Sequence, residues 1–266
     1  YNANFSVIVA SLFFSNIAVQ GVGGAIALDK GFSSVFRELV ISNNIASHGG
    51  GVFIGSLTKV LNFKTYFNRN TAKVDGGASF QIHLNIINYI ECEFYNNKAA
   101  FLGGVLMSKN GSVLININCS YFQNSAKYGG ALAIYTILKL CNYLCTFHSN
   151  MVTVGGGGIF ITTSHILINS ATNFCNNSAK YYGGAVDVKM IKEFQNSNCK
   201  FQSNLAGKAG GAIFILMVDS FHTDEPAQTS AEKYILSKNQ GHISNVQCVF
   251  HLNTAGSYGG AIALDS

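Results

Sequence analysis

The sequence predicts an all-β chain, a right-handed parallel β-helix solenoid with three strands per coil and about nine to ten coils of about 27 residues. Three observations predict it. An aromatic or apolar residue stands three positions before an asparagine nine times, at Phe13/Asn16, Ile41/Asn44, Phe67/Asn70, Phe94/Asn97, Tyr121/Asn124, Phe147/Asn150, Phe174/Asn177, Phe201/Asn204 and Phe250/Asn253. Successive asparagines lie 28, 26, 27, 27, 26, 27, 27 and 49 residues apart. Two residues after each comes Ala, or once Val152, and then a glycine pair, at 23/24, 50/51, 76/77, 103/104, 129/130, 157/158, 183/184, 210/211 and 259/260.

Each element of the unit has a physical reason. In the unit opened by Gly103-Gly104, residues 104–107 read as a first strand, Lys109-Asn110-Gly111 as a turn, 113–117 as a second strand and 119–122 as a third, before the turn at Asn124. β-Branched and aromatic residues fill these runs, Gly, Asn, Ser and Lys fill the gaps, and no unit has room for a helix. Strands that return to the same place at this period run parallel to their predecessors. The glycine pair marks a corner where backbone approaches backbone, because glycine tolerates positive φ and lacks a side chain. The asparagine closes the third strand, where it tolerates left-handed geometry and its amide reaches the turn backbone or its counterpart one coil away. The aromatic before it faces inward and stacks on its equivalents, since parallel strands sit about 4.8 Å apart. The whole forms a rod roughly 45 Å long.

The corner motifs Gly24-Ala25-Ile26, Gly130-Ala131-Leu132, Gly184-Ala185-Val186, Gly211-Ala212-Ile213 and Gly260-Ala261-Ile262 are paired with Phe-x-x-Asn turns such as Phe13/Asn16, Phe94/Asn97 and Phe201/Asn204. Together they resemble the repeat of the polymorphic outer-membrane proteins, surface-displayed autotransporter adhesins with β-helical passengers, over residues 11–264. The resemblance implies a pectin-lyase-like parallel β-helix, a place on the cell surface and an adhesin-like role.

A continuous repeat makes residues 1–266 one elongated domain. Both ends stop in mid-repeat, which reads as a piece of a longer solenoid or as ends covered by partners, since an uncapped coil exposes unpaired backbone. Residues 5–28 are apolar, but they lack a preceding basic region, are interrupted by Ser11, Ser15, Asn16 and Gln20, and keep the repeat register, so no transmembrane or targeting segment is assigned. Charged residues are only 11% and apolar residues 48%, against roughly a quarter charged in ordinary chains. Some outward faces are therefore apolar, which points to lateral packing against other chains; a neutral Ser/Thr/Asn surface on a secreted solenoid is the other reading.

Cys92, Cys119, Cys145, Cys199 and Cys248 each stand two residues before an aromatic and form a column of small packing residues, or of disulfides in an oxidising compartment. Cys175 should face outward and Cys141 lie near a turn. Neither a zinc spacing nor an HExxH is present. Polysaccharide-cleaving β-helices need converging carboxylates, yet the chain holds twelve acids in all. Asp187, the acid that follows a glycine pair in mid-chain, is expected to be flanked by Met107, Ala133, Ile161 and Phe214. No catalytic, metal or cofactor site is assigned. Lys73, Lys98, Lys127, Lys180 and Lys208 share one turn and form a basic edge, either solubilising or suited to acidic glycans, under a net charge of +5. Only two arginines, Arg37 and Arg69, and no basic-aromatic cluster argue against nucleic acid.

The expected function is a non-enzymatic extracellular or cell-surface module, adhesin-like or scaffolding, whose partners are other protein chains or cell-surface glycans through lateral or end-to-end contact. An architectural rod in a multi-chain assembly is the alternative, and a polysaccharide-binding or polysaccharide-cleaving β-helix a weaker one. Sequons at Asn4, Asn110, Asn118 and Asn176 permit glycosylation. The 49-residue gap before Asn253 reads as an insertion at 219–240, a loop or short helix around Pro226, with Tyr234, Ile235 and Leu236 available for partner contact.

Overall fold

The structure, a computed structural model, describes residues 5–216 and 241–265. They form an all-β solenoid in which the chain passes through three parallel sheets in every coil, as the period requires. Sheets B and C each hold nine strands, and sheet A holds fifteen. One coil runs through Val52–Gly55 and Leu57–Phe63 in sheet A, Tyr66–Asn68 in sheet B and Thr71–Asp75 in sheet C. Register is strict: Phe67 pairs with Phe94, and Phe94 with Tyr121. The insertion expected at 219–240, with Pro226, Tyr234, Ile235 and Leu236, and the sequon at Asn4 lie outside the described residues.

The sequence reading divides the coil differently. Its first and second strands both belong to sheet A, and in Leu132–Tyr143, Ile159–Ser170 and Val186–Ser197 they merge into single 12-residue strands. The third sheet is built instead from residues after the asparagine, such as Ser125–Tyr128. A lone left-handed residue, Ser56, His83 or Asn110, interrupts sheet A in other coils without turning the chain out of it. Cys141, expected near a turn, accordingly lies inside strand Leu132–Tyr143.

Bends between sheets fall on single left-handed residues. Glu38, Lys64, Glu91 and Asn118 turn the chain from sheet A into sheet B, and Asn43, Arg69, Asn96 and Gln123 turn it from B into C. The left-handed residue is thus the one before the ladder asparagine, which keeps an ordinary φ and spends its side chain on hydrogen bonding. The first glycine of each pair makes the third bend, as at Gly103 with φ 63°. The second cannot carry a Cβ, because on Gly104 it would run into the carbonyl oxygen of Gly130 in the next coil. In the longer glycine runs, 49–51 and 155–158, the left-handed residues are Gly49 and Gly156. The corner pairs are therefore 49/50 and 156/157, one residue earlier than the sequence register suggests, and Gly51 and Gly158 take the small-residue position filled elsewhere by Ala78 or Ala131.

The lumen is filled by inward columns. Phe67, Phe94, Tyr121, Phe147, Phe174, Phe201 and Phe250 stack with centroids 4.5–4.9 Å apart and planes within 12°. Phe13 packs against the same core. Beside them runs an asparagine ladder. Between the end coils each amide nitrogen donates to the next asparagine's Oδ1 and to the backbone carbonyl of the aromatic, or of Ile41, in the preceding coil: Asn97 Nδ2 reaches Asn124 Oδ1 at 3.2 Å and Phe67 O at 2.9 Å. The same bonds join Asn16, Asn44, Asn70, Asn124, Asn150, Asn177, Asn204 and Asn253. A second ladder, which the sequence reading does not anticipate, links the buried Asn116, Asn142, Asn169 and Asn196 to the exposed Asn245 at 2.7–2.8 Å.

Candidate interaction surfaces

With the repeating columns turned inward, the chemistry available to a partner lies on outward columns, which do not repeat. The first candidate is a groove on the outer face of sheets A and B, where the short strands Tyr66–Asn68, Glu93–Tyr95 and Ser120–Phe122 lie side by side. It encloses about 580 Å³ between Lys64, Thr65, Tyr66, Glu91, Glu93, Asn118 and Ser120. The bend residues Lys64 and Glu91 face each other at 3.6 Å across one coil spacing, a solvent-exposed pair worth well under about 1 kcal/mol. A shallower recess of about 130 Å³ adjoins it over Tyr95 and Phe122. Here an outer aromatic row begins: Tyr95 stacks on Phe122 at 5.2 Å, and Phe122 on His148 at 4.8 Å. Hydrogen-bonding groups beside half-buried ring edges suit a polar ligand with apolar faces, such as a sugar.

The second candidate sits at the corner between sheets C and A. Asp187 is fully buried and pairs in register with Phe160 and Phe214. Phe160, not Ile161, is its neighbour, because the corner pair within the glycine run 155–158 is 156/157, one residue earlier than the sequence register suggests. Lys189 Nζ closes on its carboxylate at 2.9 Å and lies 5.1 Å from the Phe214 ring centre and 5.3 Å from that of Tyr182. Burial pushes the Asp187 carboxyl up to about 6, and the nearby ammonium limits that rise. Gly155 makes the space, since a Cβ there would strike the Asp187 carboxylate. A single buried carboxylate, paired with Lys189, organises this corner. Four coils earlier, at the equivalent corner, Asp75 accepts the Leu102 N–H at 3.0 Å and stands 3.9 Å from His48. Burial raises its pKa, against the pull of the Leu102 hydrogen bond and of His48.

The residues singled out from the sequence separate into two groups. Between Ile41 and Asn204 the aromatic and asparagine columns are buried and cannot touch a partner, whereas Phe13, Phe250 and Asn253 are half-buried and Asn16 is exposed in the end coils. Asn118 and Asn176 are exposed on left-handed bends and Asn110 is half-buried, so all three sequons lie at turns. Lys127 and Lys180 lie over rings of Phe101 and Tyr181 at 5.7 and 5.2 Å, which spends part of the basic edge on local contacts. All seven cysteines are free thiols. Cys92, Cys119, Cys145 and Cys199 are buried in the lumen, where their S–H groups meet strand carbonyls, as Cys119 Sγ meets Tyr89 O at 3.3 Å. Burial raises the Cys92 thiol and takes Cys199 to about 11, while hydrogen bonding to Cys119 and burial together raise Cys145.

Among the described residues, no three His, Cys, Asp or Glu side chains gather as a metal site, and no helix is long and apolar enough to cross a membrane. Lys189, Gly155 and the groove residues Tyr66 and Glu93 carry no repeating sequence signal, whereas Tyr182 recurs before the glycine pair as Tyr128 and Tyr258. Only their outward position, once the register is known, brings them together. Comparison of the chain with family models, curated proteins and solved structures finds no match.

Proposed function

We propose that the chain is a non-enzymatic, rigid module of an extracellular or cell-surface protein, adhesin-like or scaffolding, which holds recognition groups at fixed spacing for glycans or other protein chains. One observation carries this reading: the inward columns repeat from coil to coil and lock the rod, whereas the outward columns vary in chemistry along it. A lattice of hydrogen-bonded amides and stacked rings loses little entropy when a partner binds, so contacts made on it need not order the scaffold first. The likeness of the Gly-Gly-Ala corners and Phe-x-x-Asn turns to the polymorphic outer-membrane protein repeat supports the surface location. The groove around Tyr66, Glu93 and Ser120 is the place where a glycan is expected.

The test is binding of the purified chain to a glycan array and to intact cells, beside the variants Tyr66→Ala and Glu93→Gln. Saturable binding that falls at least about tenfold in both variants, with unchanged circular dichroism, supports the reading. Binding that is absent from cells and glycans alike, or indifferent to both substitutions, refutes the groove as its seat.

A further inference from the structure

The outer face of sheet A is apolar where water should meet it. An outward column runs in register through Val7, Val35, Leu61, Asn88, Ile115, Cys141 and Ile168, of which Cys141 is buried among its neighbours and the others are exposed or half-buried. Ile90 and Ile117 flank it on one side, and Ile86 and Val113 on the other. The opposite face of the same strands, with Val60, Ile87, Leu114 and Leu140, is core. A strand that faces water on one side alternates apolar with polar, and parallel sheets that are apolar on both faces are covered on both. Yet Val7 is 51% exposed and Ile86 40% exposed.

We propose that this face binds a second copy of the chain, sheet A against sheet A, about a two-fold axis. The area fits. Strands such as Gly31–Arg37 and Gly111–Ile117 have seven residues, about 23 Å of strand, and seven neighbouring strands span about 34 Å. The face therefore covers roughly 780 Å² per copy, or about 1,560 Å² for the pair, the size of a standard stable interface. Shape fits as well: a flat rigid face of fixed length is matched by its own copy, and two sheets pack face to face about 10 Å apart. So does charge. With the two-fold axis along the rod, the two flanking columns exchange, so that Lys59 faces the other copy's Phe63 and Lys139 its Tyr143, while Arg37 faces Ser33. No like charges meet, and cations over rings are favourable.

Sedimentation velocity on the full chain tests this, with Ile115→Lys and Ile168→Glu as outward variants and Thr153→Lys, exposed on strand Met151–Gly155 of sheet C, as the control. The expected result is a dimer at micromolar concentration for the wild type and the control. Each outward variant should be monomeric, with a dissociation constant raised at least about 100-fold and an unchanged circular dichroism spectrum, since these side chains leave the core untouched. A monomeric wild type, or variants that still dimerise, overturns the proposal. A monomer that co-floats with phosphatidylcholine vesicles, and loses that behaviour in Ile115→Lys, overturns it in favour of a lipid surface.

Discussion

Replacing Asn124 by alanine removes one rung from the middle of the main ladder. Its Oδ1 accepts the Asn97 backbone N–H at 2.9 Å and the Asn97 amide at 3.2 Å. Its Nδ2 donates to Phe94 O and to Asn150 Oδ1, both at 3.0 Å. Four hydrogen bonds disappear in a fully buried site, while the bond from Asn124 N–H to Asn150 Oδ1 loses its acceptor's orientation only indirectly. At about 1 kcal/mol for each bond lost, with more for the Asn97 N–H left facing apolar side chains, the cost is about 4 to 5 kcal/mol. Asn16 supplies the internal comparison. It sits in an exposed end coil, where its side chain makes one hydrogen bond, from Nδ2 to Asn44 Oδ1 at 2.9 Å, and its backbone N–H keeps the same acceptor at 2.8 Å whatever the side chain, so Asn16→Ala should cost about 1 kcal/mol or less. Urea unfolding gives the global difference, and amide exchange locates it, because coils of a solenoid open with their neighbours. Asn124→Ala should speed exchange in the coils on both sides of residue 124. Equal urea midpoints for the two variants would refute the idea that the ladder, rather than apolar packing alone, holds the coils in register.

Phe147→Ala empties the centre of the aromatic stack, where Tyr121 and Phe174 lie 4.5 and 4.9 Å away, and should cost about 3 to 5 kcal/mol in the same assay. Tyr89 interrupts the second ladder, since it pairs in register with Asn62 and Asn116 and leaves Asn62 Nδ2 and Asn116 Oδ1 without partners. Tyr89→Asn should therefore be about 2 kcal/mol more stable than Tyr89→Ala, and equal stability would contradict the continuity of that ladder. For Asp187, the folded pKa is raised from 3.8 to about 6. The folded state then holds its proton more tightly, so the contribution is complete below about pH 4 and is lost as pH rises through 6. Wild-type stability measured relative to Asp187→Asn should fall by about 3 kcal/mol between pH 4 and 7. A flat difference curve would place the carboxylate in water.

The fold was legible because inward columns have no freedom. A strand can drift in its outward residues, but Phe94, Tyr121 and Phe147 must each land on the ring below, and the spacing of the motifs records that demand. Frame errors arose where the local signal was degenerate. In Gly49-Gly50-Gly51 any adjacent pair satisfies the pattern, and only the backbone angle at Gly49 chooses. The second asparagine ladder recurs at separations of 26 and 27 residues, but it lies mid-strand, where an inward amide looks like an outward one. The groove was not legible at all, because Lys64, Glu91 and Asn118 share a column without sharing a chemistry. The corner at Asp187 depends on a glycine missing its side chain one coil away, which no spacing announces.

Stacking of coils in register is the claim on which every surface described above depends, and distances along one outward column test it directly. Val40, Tyr66, Glu93, Ser120, Thr146, Asn173, Lys200 and Val249 succeed one another in sheet B. Spin labels at Val40 paired in turn with Thr146, Asn173, Lys200 and Val249 should report electron–electron distances that lengthen by about 4.8 Å at each step, with narrow distributions throughout. Val249 must fall on that line although 49 residues separate Asn204 from Asn253. Distances that fail to increase in even steps, or a Val249 pair displaced from the series, would contradict the solenoid.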